Sequence, residues 1–94
     1  MEETKFEWDP EKAKKNFKKH GVSFKEASTI FDDPLYISFL DEEHSDAEER
    51  HITIGMSVKA RLLMAAHTAR RNLIRLISAR KATKNEEKFY NEKE

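Results

Sequence analysis

Between Arg50 and Asn85 the chain carries nine lysines and arginines and not one aspartate or glutamate. Arg61, Arg70, Arg71, Arg75, Arg80, Lys81 and Lys84 all fall in this run. A guanidinium presents a planar fork that matches two phosphate oxygens at once, so the run has the composition of an anion site. His67 lies inside it, and an imidazole is the side chain best placed to give or take a proton near neutral pH. A single histidine in a strand is more often a packing residue, so both roles stay open at His67. Tyr90 and Phe89 follow on what should be the last helix. Either ring could stack on a base, although Phe89 is expected in the core.

Metal chemistry has little to work with. The four histidines stand at 20, 44, 51 and 67, with no H-x-x-x-H pair, and there is no cysteine. Neither metal nor cofactor is expected. Two glycines cannot supply a phosphate-cradling loop or a nucleophile elbow. The formal net charge of zero joins two unlike halves: residues 1–50 carry 14 acids and 8 bases, and residues 51–94 carry 4 acids and 10 bases. Either the basic half forms an exposed positive surface, or acids of the first half fold onto it. No apolar run is long enough to span a bilayer, and the opening MEETKFEWDPEK has no secretory h-region, so a cytoplasmic protein is expected.

The elements that hold these residues can be read from punctuation and period. Asp9 and Pro10 are a helix N-cap and first position, and Gly21 is a left-handed stop, which predicts a helix over 10–20. Ser23 and Glu26 have capping-box spacing for a second helix, which ends at Asp33-Pro34. Strands are predicted over 35–39, 50–56, 61–68 and 73–80, with an acidic loop at 41–49 and turns at SVKA and ARRN. Thr83 and Glu86 open a last helix. The order ααββββα predicts one α+β domain over residues 1–94: a four-stranded antiparallel sheet with helices packed on one face. Strand parity puts Arg61 and His67 on one face. Arg75 and Arg80 differ in parity, so they share a face only if a bulge intervenes or Arg80 lies past the strand end. The second arrangement is expected, with Arg80 at the junction of sheet end and helix N-terminus, where an anion would sit.

Several motifs occur together in one order: Trp8-Asp9, Lys12, Asn16, Lys19-His20-Gly21-Val22, Ser23-Phe24, Glu26-Ala27, Phe31-Asp32-Asp33-Pro34, EERHITIG, His67-Thr68 and ISARKATKNEEKFY. Over about residues 6–91 this pattern resembles the BrnT-type toxins. The resemblance implies a RelE-like fold and metal-independent ribonuclease activity in a type II toxin–antitoxin system, with no cofactor. It further implies neutralisation by a BrnA-type ribbon-helix-helix antitoxin, with operator DNA met only through that partner. In this reading Arg70 and Arg80 hold phosphate and His67 and Tyr90 move protons. Arg61, Arg75, Lys81 and Lys84 add RNA-binding charge. Two departures stand out: Ala69 replaces an acid common in the family, and Glu87 replaces an arginine. The alternative function is therefore a toxin-fold protein that no longer cuts and serves as antitoxin partner and co-repressor.

Overall fold

The computed structural model describes residues 5–45 and 48–92, so Asp46 and Ala47 of the acidic loop lie outside the described residues. The sheet has five strands rather than the expected four, in the order β1-β5-β4-β3-β2. They are β1 (Lys5–Glu7), β2 (Ile37–Leu40), β3 (His51–Met56), β4 (Leu62–Arg70) and β5 (Leu73–Lys81). Strands β2 to β5 form the expected antiparallel meander. The extra strand, β1, runs parallel to β5, with Phe6 opposite Ile74, so the sheet is mixed. Three residues are too few to show a period of two. Their strand character comes from pairing with β5, which local sequence does not reveal.

Helix α1 (Pro10–His20) has the predicted bounds. The Asp9 carboxylate accepts the Glu11 N–H at 2.8 Å, and Gly21 closes the helix at φ 71° while its N–H reaches the Phe17 carbonyl. Helix α2 is shorter than expected: it covers Phe24–Ser28 and tightens into a 3₁₀ turn over Thr29–Asp32. Ser23 Oγ caps it by accepting the Glu26 N–H at 3.0 Å, but the Glu26 carboxylate does not complete the box. It turns instead to Arg61 and Ser57. Helix α3 (Lys84–Asn91) has a complete capping box between Thr83 and Glu86.

Helices cover both faces of the sheet, not one. On the first face Val22, Phe24, Ala27 and Ile30 pack on Leu63, Ala65, Leu76 and Ala79, all nearly or fully buried. Trp8 meets Phe24 edge-on at 6.0 Å. On the second face Ile37, Ile54 and Met64 form a smaller cluster with Leu62, Ala82 and Tyr90. The alternation of β4 explains the division: Leu63 and Ala65 point to α1 and α2, while Leu62 and Met64 point to α3. Each large side chain buried in these clusters contributes about 1.5–3 kcal/mol. No helix among the described residues is long and apolar enough to cross a membrane.

One irregularity sets the direction of the β5 arginines. The pairing of β4 with β5 shifts between Ala66 and His67: Ala66 faces Ser78, but His67 faces Leu76, leaving Ile77 as the extra residue. Arg80 is therefore inside β5, not beyond its end, and the bulge reverses its parity relative to Arg75. Arg75 lies opposite Thr68 and Arg80 opposite Met64, two residues of one parity on unbulged β4. Both arginines therefore project on the α3 face.

Candidate active site

On the α3 face, the part of the sheet formed by β4, β5 and β1 carries charge instead of a second apolar layer. Arg75 Nη1 lies 3.6 Å from Glu7 Oε2 on the neighbouring strand. Arg70 donates through Nε and Nη2 to the two oxygens of Glu48, each at 3.2 Å. The hydrogen bonds from Arg70 hold the Glu48 carboxyl below its ordinary range, with a further contribution from the charge of Arg75. Thr68, the cross-strand partner of Arg75, is 4% exposed. Its Oγ1 has no hydrogen-bond partner among the described residues. A buried hydroxyl without a partner costs about 1–3 kcal/mol, so its presence needs a reason.

Further along β5, Arg80 forms a two-pronged pair with Glu86, Nη1 to Oε1 at 2.8 Å and Nη2 to Oε2 at 3.0 Å. Glu86 Oε1 also accepts the Thr83 N–H at 2.9 Å. Burial would raise the Glu86 carboxyl, but Arg80 and the Thr83 N–H outweigh it and hold it below the usual range. The expected anion cradle at the α3 N-terminus is thus filled from within by a carboxylate. Tyr90 lies in the apolar cluster on the same face and donates its hydroxyl proton to Asp33 Oδ2 at 2.5 Å. Burial and the Asp33 charge push the phenol up to about 12, so it stays protonated at neutral pH. Phe89, expected in the core, is 57% exposed and lies 6.4 Å from Phe39 on the edge strand β2. The α3 face turns Glu86 and Tyr90, one helical turn apart, to the sheet and leaves Phe89 at the side.

The remaining candidates lie elsewhere. His67 is buried on the α1–α2 face. It shares a 2.7 Å hydrogen bond with Thr53, which shares one of 2.9 Å with Ser38, and its ring meets Phe31 edge-on at 5.1 Å. Burial, with the neighbouring His51, lowers its pKa to about 4. Arg61 has the parity expected with His67, but it stands just before β4 and is tied to Glu26 at 2.9 Å and to the Gly21 carbonyl at 3.2 Å. Lys81 and Lys84 are exposed at the end of β5 and the start of α3. Among the described residues, four of the nine cations of the acid-free run are therefore met by acids folded onto it: Glu26, Glu48 and Glu7 from the first half, and Glu86 from α3. Thr68 was not singled out from the sequence. Its signal was its parity, one residue on from His67 and so on the opposite face.

Residues 8–86 match the family described as the ribonuclease toxin, BrnT, of type II toxin–antitoxin systems. The chain belongs to the BrnT family. As a BrnT-family ribonuclease toxin it has an antitoxin partner by definition of the system. Its fold is similar to the 1.1 Å crystal structure of the Brucella abortus ribonuclease toxin BrnT, with a TM-score of 0.66 and 21% identity, covering 87% of this chain and 100% of that one. No curated protein matches the chain.

Proposed function

We propose that residues 1–94 act as one toxin domain that cleaves RNA on the α3 face without a metal ion. The observation that carries this reading is the β5 bulge. It puts Arg75 and Arg80 on one face, Arg75 beside Arg70 and the buried Thr68 hydroxyl that has no partner among the described residues, and Arg80 further along, opposite Met64. A ribose 2′-oxygen attacks the adjacent phosphorus, the bond to the 5′-oxygen breaks, and charge gathers on the phosphate oxygens between. Arginines placed there hold the transition state more tightly than the ground state. An incoming phosphate competes with Glu7 for Arg75 and with Glu48 for Arg70. The released carboxylate takes the 2′-proton. The leaving 5′-oxygen takes its proton from water; Tyr90, held by Asp33 in the β2–β3 cluster, keeps its own proton at neutral pH and is not the base. Lys81 and Lys84 supply outlying charge, whereas His67 and Arg61 hold the opposite face together.

Ala69 does not weaken this reading. It lies opposite Ile74, which packs against the α1–α2 core, so an acid at that position would project away from Arg75 and Thr68. A second reading has one observation in its favour. Arg80 already holds a carboxylate in both prongs, as a protein retained only for antitoxin binding and co-repression would allow. In either reading the partner is a BrnA-type ribbon-helix-helix antitoxin in the cytoplasm, which brings the pair to operator DNA. Purified protein with a 5′-labelled RNA in excess EDTA decides between the two. Cleavage that persists and leaves 2′,3′-cyclic phosphate ends is the expected outcome. Loss on chelation with recovery on adding a divalent ion contradicts metal independence, and no cleavage under any condition favours the second reading.

A further inference from the structure

The chain's unneutralised charge is concentrated on α1 more than in the arginine run. Lys12, Lys15 and Lys19 recur at i, i+3 and i+7, which places them on one stripe of the helix. Among the described residues none of the three has an ion pair, whereas Lys14 on the adjacent stripe reaches Glu11. The stripe borders a cavity of about 220 Å³, whose other walls are Asn16, His20, Ile77 and Ser78. No acid and no Phe, Tyr or Trp lines it.

The cavity lies where β5 loses its outer neighbour. Pairing with β1 stops at Glu7 opposite Arg75. Beyond it the side chain of buried Asn16 serves the free edge. Its Oδ1 accepts the Ala79 N–H at 3.0 Å, and its Nδ2 donates to the Ala79 carbonyl at 2.8 Å and to the Val22 carbonyl at 3.0 Å. These bonds fix α1 across the edge, so the lysine stripe is held at a set distance from the bulge. Ser78 faces Ala66 and so has the parity of Arg80, which makes the cavity wall continuous with the α3 face.

We propose that this cleft is a second nucleic-acid subsite, which holds the phosphodiester backbone of an RNA strand as it leaves the α3 face over the edge of β5. The inference rests on the ribonuclease reading for the identity of the strand. Lysines hold phosphates as point charges, and the lining residues include no Phe, Tyr or Trp, so the subsite adds affinity with little reading of sequence.

Binding of a fluorescein-labelled 2′-O-methyl RNA of about twelve nucleotides, which cannot be cleaved through its 2′-oxygen, tests this separately from catalysis. Lys12→Gln/Lys15→Gln/Lys19→Gln is compared with Lys14→Gln/Lys18→Gln/Lys25→Gln, which removes the same charge from neighbouring positions. All six side chains are exposed, and circular dichroism melting checks the fold. The first triple is expected to weaken binding about tenfold or more. It should also flatten the slope of log affinity against log salt by about 2, from three lost contacts at about 0.7 each. The second triple should stay within about twofold of wild type. Equal losses in both triples, an unchanged slope, or equally tight binding of a polyglutamate peptide would each overturn the subsite. Wild type that binds normally yet never cuts cleavable RNA would sink the ribonuclease reading and leave the subsite standing.

Discussion

Under α1 and α2 the sheet is sealed: Leu63, Ala65, Leu76 and Ala79 are almost fully buried, and even the polar chain Ser38–Thr53–His67 is closed on itself by hydrogen bonds. Under α3 only the β2–β3 side is covered by apolar packing. The other side carries Glu7–Arg75 and Glu48–Arg70 pairs above a threonine whose hydroxyl has no partner among the described residues. Both faces come from the same strands, one residue apart. On the first, the buried polar side chains of Asn16, Thr53 and His67 are all hydrogen-bonded, which stabilises the fold and leaves little for a ligand to gain. On the second, the cations are held by exchangeable carboxylates, which keeps them oriented yet open to a stronger anion.

The largest effect that separates the faces is the pH response of His67. Its folded pKa of about 4 lies below the ordinary value of 6.5. A neutral buried imidazole is therefore favoured in the folded state. Its contribution is fully present above about pH 6.5 and is lost as the pH falls towards 4, when the unfolded chain takes up a proton that the folded chain refuses. The loss amounts to about 3 kcal/mol across that window. Urea unfolding at intervals from pH 7 to pH 4.5 should show it, and His67→Phe should flatten the dependence. An equally steep dependence in the variant would remove His67 from the sealed face.

A smaller effect tests the boundary between the faces. Arg80→Ala leaves Glu86, part of the α3 capping box, without its guanidinium, and should cost about 2 kcal/mol in unfolding free energy. A position past the strand end, as expected from sequence, would instead leave the fold intact when Arg80 is lost. Chemical denaturation with no change in midpoint would restore that view and make the Arg80–Glu86 pair dispensable. The smallest effect belongs to Thr68→Val. It replaces an unpaired hydroxyl by a methyl of similar volume, so stability should hold or rise by up to about 1 kcal/mol while RNA cleavage falls. A destabilised variant would show that Oγ1 has a structural partner after all.

Much of the scaffold was legible because its signals are local. Asp9-Pro10 and Gly21 bound α1, Thr83 and Glu86 cap α3, and the strand-forming runs at 50–56, 61–68 and 73–80 mark three strands to within two residues. What was hidden depends on contacts far apart in the chain. Strand β1 exists only because β5 lies beside it. The bulge at Ile77 leaves no mark in the LIRLISAR run, yet it decides which way Arg80 points. The pairing of Arg61 with Glu26 spans 35 residues, and no local pattern links the two. Charge counting found the cations and named acids of the first half as one possible neutraliser. It could not say which arginines those acids reach.

In the proposed reading, chemistry belongs to the α3 face and stability to the other. Single-turnover cleavage of a model RNA by Arg75→Ala and His67→Asn, with the melting temperature of each, tests it most directly. Arg75→Ala should lose roughly a hundredfold in rate, about 2.7 kcal/mol of transition-state stabilisation, and melt within a few degrees of wild type. His67→Asn should melt well below wild type, while its folded fraction cuts at close to the wild-type rate. A well-folded Arg75→Ala that cuts normally, alongside a folded but inactive His67→Asn, would place the chemistry on the α1–α2 face and contradict the account.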